Sequence, residues 1–190
     1  MTHRPISSVD ALMALLAGCA GVWDRPDRSG DPVDILDHGL QVAALLAVSR
    51  PGDEEAQAAG LVHDIGHHLV PGDEAGHGTH AAAAVEGLLG PRVARLVALH
   101  IPAKRYLAAT APRLTLSPES ARTLGCQGGP MTPAEAAAFE GGPDFAAAVA
   151  LRRADDAGKV VGLRVPSLES WRPVLDRVAA RQSREGAGGC

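Results

Sequence analysis

The chain has 190 residues, 46% of them hydrophobic but only 3% aromatic, with a formal net charge of −4. That length suits one domain with a real apolar core, and a core rich in Ala, Leu and Val favours packed helices over sheets, which lean on aromatic and β-branched residues. The charge argues against a nucleic-acid partner, which requires a basic face. A membrane is equally unsuited: the apolar run 9–22 is cut by Asp10 and too short to span a bilayer, and no signal peptide is visible.

In chain order, Ile6, Val9, Leu12, Met13, Leu16 and Cys19 carry a helical period over residues 6–21. Residues 23–32, rich in Pro, Gly, Asp and Arg, read as a loop. A second helix is expected over 33–49, with Pro32 in a first-turn position and Pro51-Gly52 ending it. Asp53 caps a third, running through Leu69; 70–76 is a loop; 77–89 is a fourth helix, stopped by Gly90-Pro91. A fifth runs from Pro91 to about Leu107, kinked at Pro102. Residues 108–132 are irregular apart from a short helix near 117–124, and Thr132 caps another over 133–139. The last core helix covers 144–161, a further one 167–182, and 184–190 form a disordered tail after a single domain over 1–183. No repeat and no strand pattern stands out, so the expected fold is an all-α helical bundle.

Histidine is distributed unevenly. Of eight, five lie between His63 and His80, close to several acids. The strongest local signal is His63-Asp64 in LVHDIGHHL: neighbours about 100° apart around a helix can reach one point beside it, the carboxylate able to bridge two cations and the imidazole to add a nitrogen ligand. His67 follows one turn later and projects into the same pocket. A His-Asp pair alone arises by chance. His38 and His100 sit on apolar stripes where a satisfied core histidine is common, His77 could be an exposed cap, and Asp155 beside Asp156 could be solvated surface. Four such residues on separate helices around one His-Asp pair are jointly hard to explain by packing. Mixed imidazole and carboxylate ligation suits iron, manganese or zinc. Lys104 lies four residues after His100 and Arg152 three before Asp155, so each puts a cation one turn from a candidate ligand, which makes an anion trap. Cys19, Cys126 and Cys190 are too scattered for a disulfide framework or a thiolate zinc site, which points to a reduced, cytoplasmic setting.

The order His38, His63-Asp64, Asp155 resembles the HD-domain superfamily. The segments LHIPAKRYL, LSPESARTLGCQGGPM and LRRADDAGK are similar to the phosphonate-cleaving branch of its mixed-valent diiron oxygenases, over roughly residues 34–178. That resemblance implies an HD-domain helical bundle with an Fe(II)/Fe(III) pair. His38, His63 and Asp155 then match ligands of one iron, His77 and His100 those of the other, and Asp64 the bridging carboxylate. It implies that His67 contacts the substrate hydroxyl and that Lys104, Ser120, Gln127 and Arg152 surround the phosphonate. The activity implied is O2-dependent cleavage of the C–P bond of a small 1-hydroxyphosphonate, releasing inorganic phosphate, by an enzyme able to act as a monomer.

Three positions depart from the family. Where its glycine-forming member has Tyr-Ile-Gly-Glu ahead of the first histidine, this chain offers Arg28-Ser29-Gly30-Asp31; no tyrosine precedes Tyr106, and Asp31 is the shorter acid that would face the substrate's substituent. Ala154 stands where relatives often carry Trp. His80 competes with His77 as a ligand, His77 being preferred from its distance to Gly90-Pro91. The competing activity is that of a plain HD phosphohydrolase acting on a phosphate ester or nucleotide with the same metal pair. A third reading, a degenerate HD module that only binds, is disfavoured by the intact ligand set.

Overall fold

A computed structural model of the chain describes residues 5–25, 27–111 and 116–187. Among the described residues there are ten helices and no strand: α1 (Val9–Gly18), α2 (Ile35–Ser49), α3 (Glu54–Val62), α4 (Ile65–Leu69), α5 (His77–Leu89), α6 (Pro91–Thr110), α7 (Pro118–Cys126), α8 (Pro133–Glu140), α9 (Phe145–Ala157) and α10 (Leu168–Ala187). The all-α expectation holds. None of these helices is long and apolar enough to cross a membrane.

Several boundaries differ from those read from periodicity, each for a local reason. Residues 6–8 are not helical: Ile6 N–H donates to the Ala84 carbonyl of α5, and extended Ser8 caps α1. Asp34 rather than Pro32 starts α2, its carboxylate accepting both Asp37 N–H and Gly21 N–H at 2.8 Å. The single helix expected over 53–69 is two, broken at His63-Asp64. Asp64 has φ −103° and ψ 3°, off helical values, and the His63 ring takes the Gly60 carbonyl as α3 ends. The break turns both residues inward, which an unbroken helix does only for part of its circumference.

Helix α6 runs through Pro102 without ending and continues to Thr110. Helix α9 stops at Ala157, not at 161, because the chain turns at Gly158, and Gln41 then takes both the N–H and the carbonyl of Val160. The backbone of 184–187 belongs to α10 rather than to a tail. The disordered tail expected beyond it, with Cys190, lies outside the described residues.

The core is centred on α2, α3, α6 and α9, with α5 packed along α6. Leu46, Leu61, Ile65, Leu96 and Leu151 are wholly buried there, each stabilising the fold by about 2 kcal/mol. Two glycines set how closely helices approach beside the histidines. A Cβ on Gly39 would lie 2.5 Å from the Leu61 carbonyl oxygen, so α2 meets the end of α3 backbone to backbone at His38 and His63. A Cβ on Gly66 would lie inside the His77 carbonyl, which presses α4 onto the start of α5. Arg92 of α6 ties Asp53 (2.7 and 2.9 Å), Glu55 (3.0 Å) and Asp144 (3.3 Å) together, locking the starts of α3 and α9.

Candidate metal centre

Six of the residues singled out above converge at the middle of the bundle. His38, His63 and Asp64 form one group of donors, and Asp64, His77 and His100 another, with the donor atoms in each within 4.8 Å of one another. Asp64 is common to both. Its Oδ2 faces His38 Nε2 at 3.4 Å; its Oδ1 faces His63 and His77 Nε2 at 3.4 Å and His100 Nε2 at 3.7 Å. Asp155 adjoins the first group, Oδ1 lying 3.3 Å from His38 Nε2 and Oδ2 3.7 Å from His63 Nε2.

The imidazoles are fixed by the backbone. His38 Nδ1–H donates to the Gly158 carbonyl (2.8 Å), His63 to Gly60 (2.8 Å), His77 to Glu74 (2.7 Å) and His100 to Val97 (2.6 Å). A carbonyl can only accept, so each Nδ1 carries the proton and each Nε2 of a neutral ring presents a lone pair. Those lone pairs point at one another: His38 and His63 Nε2 are 3.2 Å apart, and His77 and His100 Nε2 2.9 Å. Two acceptors cannot bond each other, so a positive charge, a proton or a metal ion, has to sit by each pair. Burial pushes His63 below the usual range and His100 well below it. Burial also opposes protonation of His38 and His77, but the carboxylates of Asp155 and Asp64 outweigh it. Asp64 and Asp155 stay ionised despite burial, Asp64 through the ring of imidazoles around it and Asp155 chiefly through Arg152. Backbone-anchored rings with Nε2 turned inward and ionised carboxylates make a donor set that fits transition-metal ions, which would take the place of the protons.

His80, the alternative to His77, hydrogen-bonds Asp73 at 2.8 Å and stands away from both groups. His67 stacks on His77, with ring centroids 4.1 Å apart and planes 19° from parallel. Burial, then the His77 charge, pushes it down to about 4, so it is neutral at pH 7 and able to accept a proton or hydrogen bond.

Beside the donors lies a polar cavity lined by His67, Lys104, Ser120, Gln127, Arg152 and Asp31 among others. All the residues proposed from the sequence to face a substrate therefore border one space. Lys104 is only 3% exposed, and its Nζ donates to Thr123 Oγ1 (2.5 Å) and Gln127 Oε1 (2.9 Å). Its partners among the described residues are neutral, and burial followed by the Arg152 charge pushes it down to about 8. Arg152 Nη1 lies 2.7 Å from Asp155 Oδ2, its Nη2 reaches Asp156 and Ser120 Oγ, and its Nε is buried without a partner among the described residues.

The QGGPM string has a mechanical role as well. Gly128 (φ 99°) and Gly129 (φ 71°) adopt left-handed backbone that side chains resist. The turn brings the Gly129 carbonyl to Arg105 Nε and Met131 N–H to the Arg105 carbonyl, so Gln127 is aimed at Lys104. In AKRYL, Lys104 faces the cavity while Arg105 clamps that loop.

Sequence reasoning missed Lys159. It donates to Asp31 (2.6 Å) and Ser120 Oγ (3.1 Å) and lies 3.7 Å from Asp155 Oδ1. The signal was present: Lys159 is four residues beyond Asp155, the same one-turn spacing that picked out Lys104. Asp24 and Thr123, also on the cavity wall, carried no such signal.

An all-helical protein with a His/Asp metal-binding centre is the class that this fold and site define. The family model for the HD domain matches residues 35–127. The chain is 40% identical over 157 residues to the hydroxymethylphosphonate dioxygenase of Gimesia maris, covering 77% of this chain and 78% of that protein. It is 32% identical over 171 residues to the [1-hydroxy-2-(trimethylamino)ethyl]phosphonate dioxygenase (glycine-betaine-forming) of Leisingera caerulea, covering 83% and 87%. The chain belongs to the HD-domain family, in its phosphonate dioxygenase branch.

Proposed function

We propose that the chain is an oxygen-dependent oxidoreductase that cleaves the C–P bond of a small 1-hydroxyphosphonate and releases inorganic phosphate. The observation that carries this reading is the juxtaposition of two opposed imidazole pairs, bridged by Asp64, with a buried lysine that has no carboxylate partner among the described residues. Such a lysine awaits an anion, and the cavity delivers that anion beside the metal donors. The two phosphonate dioxygenase relatives support the same chemistry.

In this reading His38, His63, Asp155 and Asp64 hold one iron, and Asp64, His77 and His100 the other. An Fe(II)/Fe(III) pair supplies oxygen activation and oxidation at C1 when bound. The chain's own residues do the rest. Lys104, Arg152, Ser120 and Gln127 grip the phosphonate oxygens, which fixes C1 over the metal side. His67, neutral and stacked on His77, accepts a hydrogen bond from the 1-hydroxyl. O2 is the oxidant; the carbon leaves as a carboxylate and phosphorus as phosphate. The site is complete within one chain, consistent with a monomer, and the reading places it in a reducing cytoplasm where Cys19 and Cys126 remain thiols.

The test is iron-loaded protein incubated with 1-hydroxyphosphonates, following phosphate with and without oxygen. Release that needs O2 is expected. Equal release under strict anaerobiosis would overturn the oxygenase and favour a metal-dependent phosphohydrolase.

A further inference from the structure

Of the main-chain carbonyls that anchor the four imidazoles, one is shared with the anion cavity. The Glu74 carbonyl accepts the Nδ1–H of His77 at 2.7 Å and also an Nε2–H of Gln127 at 3.1 Å. The carbonyls of Gly158, Gly60 and Val97, which hold His38, His63 and His100, take no second side-chain donor among the described residues. Gln127 is engaged at its other end as well, its Oε1 accepting a hydrogen bond from Lys104 Nζ at 2.9 Å. One side-chain amide therefore joins the buried cation of the cavity to the backbone anchor of a metal-donor imidazole. Glu74 is tied to α7 a second time through its side chain, which takes Arg122 Nη2 while Arg122 also holds Glu119.

The direction of the coupling follows from the order of these bonds. An ammonium on Gln127 Oε1 polarises the amide and makes its N–H a stronger donor. What Gln127 donates to the Glu74 carbonyl competes with what His77 donates, because both draw on one oxygen. An anion in the cavity pulls Lys104 toward itself, or takes the Gln127 N–H directly. Either way the Glu74 oxygen is released to His77. The firmer Nδ1–H···O bond then raises the basicity of Nε2, and a more basic imidazole is a stronger metal ligand.

We propose that Glu74 and Gln127 are positioning residues that couple the two halves of the site, so that filling the anion cavity tightens the metal held by His77 and His100. The inference rests on the reading above of a metal pair beside an anion pocket. By linkage the effect is reciprocal: the metal tightens the anion by the same factor, so a chain lacking its metal holds substrate weakly.

The experiment is nuclear magnetic resonance of the imidazole N–H protons in protein loaded with diamagnetic zinc and titrated with methylphosphonate, which has no hydroxyl to oxidise. The His77 Nδ1–H signal should move downfield, as a strengthening hydrogen bond requires, and the His100 signal far less. His100 faces the same metal in this reading, so it controls for whatever the anion does to that metal directly. Gln127→Met removes both amide bonds at nearly unchanged length; its His77 signal should start at the downfield position and no longer respond. Chelator competition gives a second readout: methylphosphonate should tighten zinc by about three- to tenfold more in the wild type than in Gln127→Met, less than outright loss of an outer-shell partner costs. Equal movement of the His77 and His100 signals overturns the inference, as does an undiminished response in Gln127→Met. Should that variant not fold, the comparison of His77 with His100 in the wild type decides. Methylphosphonate bound without a selective His77 response sinks this coupling alone, whereas a chain that takes up neither zinc nor methylphosphonate defeats the parent reading and the coupling with it.

Discussion

The two halves of the site are built differently. On the metal side, short imidazoles stand on packed helices, and each is pinned to a backbone carbonyl at 2.6–2.8 Å. On the anion side, the long side chains of Lys104, Arg152 and Lys159 are held by other side chains, Lys104 by Gln127 of the glycine turn and both Arg152 and Lys159 by Ser120 of α7. Backbone anchoring fixes position to within the stiffness of the fold, while mutual side-chain pairing can be re-dealt by one substitution. In the proposed function the first half carries the chemistry and the second the hold on the substrate.

The largest expected effect breaks the metal half. Asp64→Ala removes the only residue common to both donor groups and should abolish bound iron and turnover together, measured by metal analysis and phosphate release. Gly66→Ala touches no donor, yet forces α4 away from the His77 carbonyl; about a 10–100-fold loss of metal affinity is expected, read by chelator competition.

Next comes the anion half. Lys104→Ala should lower kcat/KM by about 10–100-fold while iron content stays unchanged, because Lys104 contacts no candidate ligand. Arg152 is a less clean probe than its sequence position implied: it also holds Asp155 at 2.7 Å, so Arg152→Ala should cost metal as well as substrate. Lys104 also gives a pH signature. With its pKa near 8, it is charged below that value and loses its proton above it, so phosphonate affinity should fall as pH rises past about 8. Lys104→Arg should move that fall to higher pH, and a titration series unchanged by that substitution would count against the lysine's role.

Away from the site the effects are smaller. The Arg92 hydrogen bonds lower Asp53 from 3.8 to about 2. The stability this contributes is present above about pH 4 and lost as pH falls through 2, about 1–2 kcal/mol in all, and Asp53→Asn should flatten that part of the acid-unfolding curve. Burial pushes the Cys19 thiol up to about 12. In a Cys190→Ser background, a thiol reagent should label exposed Cys126 quickly and Cys19 only after unfolding.

How legible each part was in the sequence follows the same division. Helix existence and type were readable because apolar periodicity and caps such as Asp53 and Thr132 are local signals. The break at His63-Asp64 was not, since it comes from ring-to-backbone bonding and the press of α4 on α5, which no periodicity carries. The histidines could be proposed because they cluster or sit on apolar faces where charge is unusual. Ser120 and Gln127 entered only through a family resemblance; their aim depends on left-handed glycines and on Arg105, far away in sequence. Lys159 obeyed the one-turn rule within the helix expected over 144–161, but its place on the cavity comes from the turn at Gly158 and from Asp31, 128 positions upstream, neither of which is a local signal.

The most direct measurement is electron paramagnetic resonance, with metal analysis, on iron-loaded and partly oxidised protein before and after addition of hydroxymethylphosphonate. The expected result is two irons per chain, a half-integer coupled signal that shifts when the phosphonate binds, and loss of that signal in Asp64→Ala. A single iron per chain, or a coupled signal indifferent to the phosphonate, would contradict a shared carboxylate joining two metals beside an anion pocket.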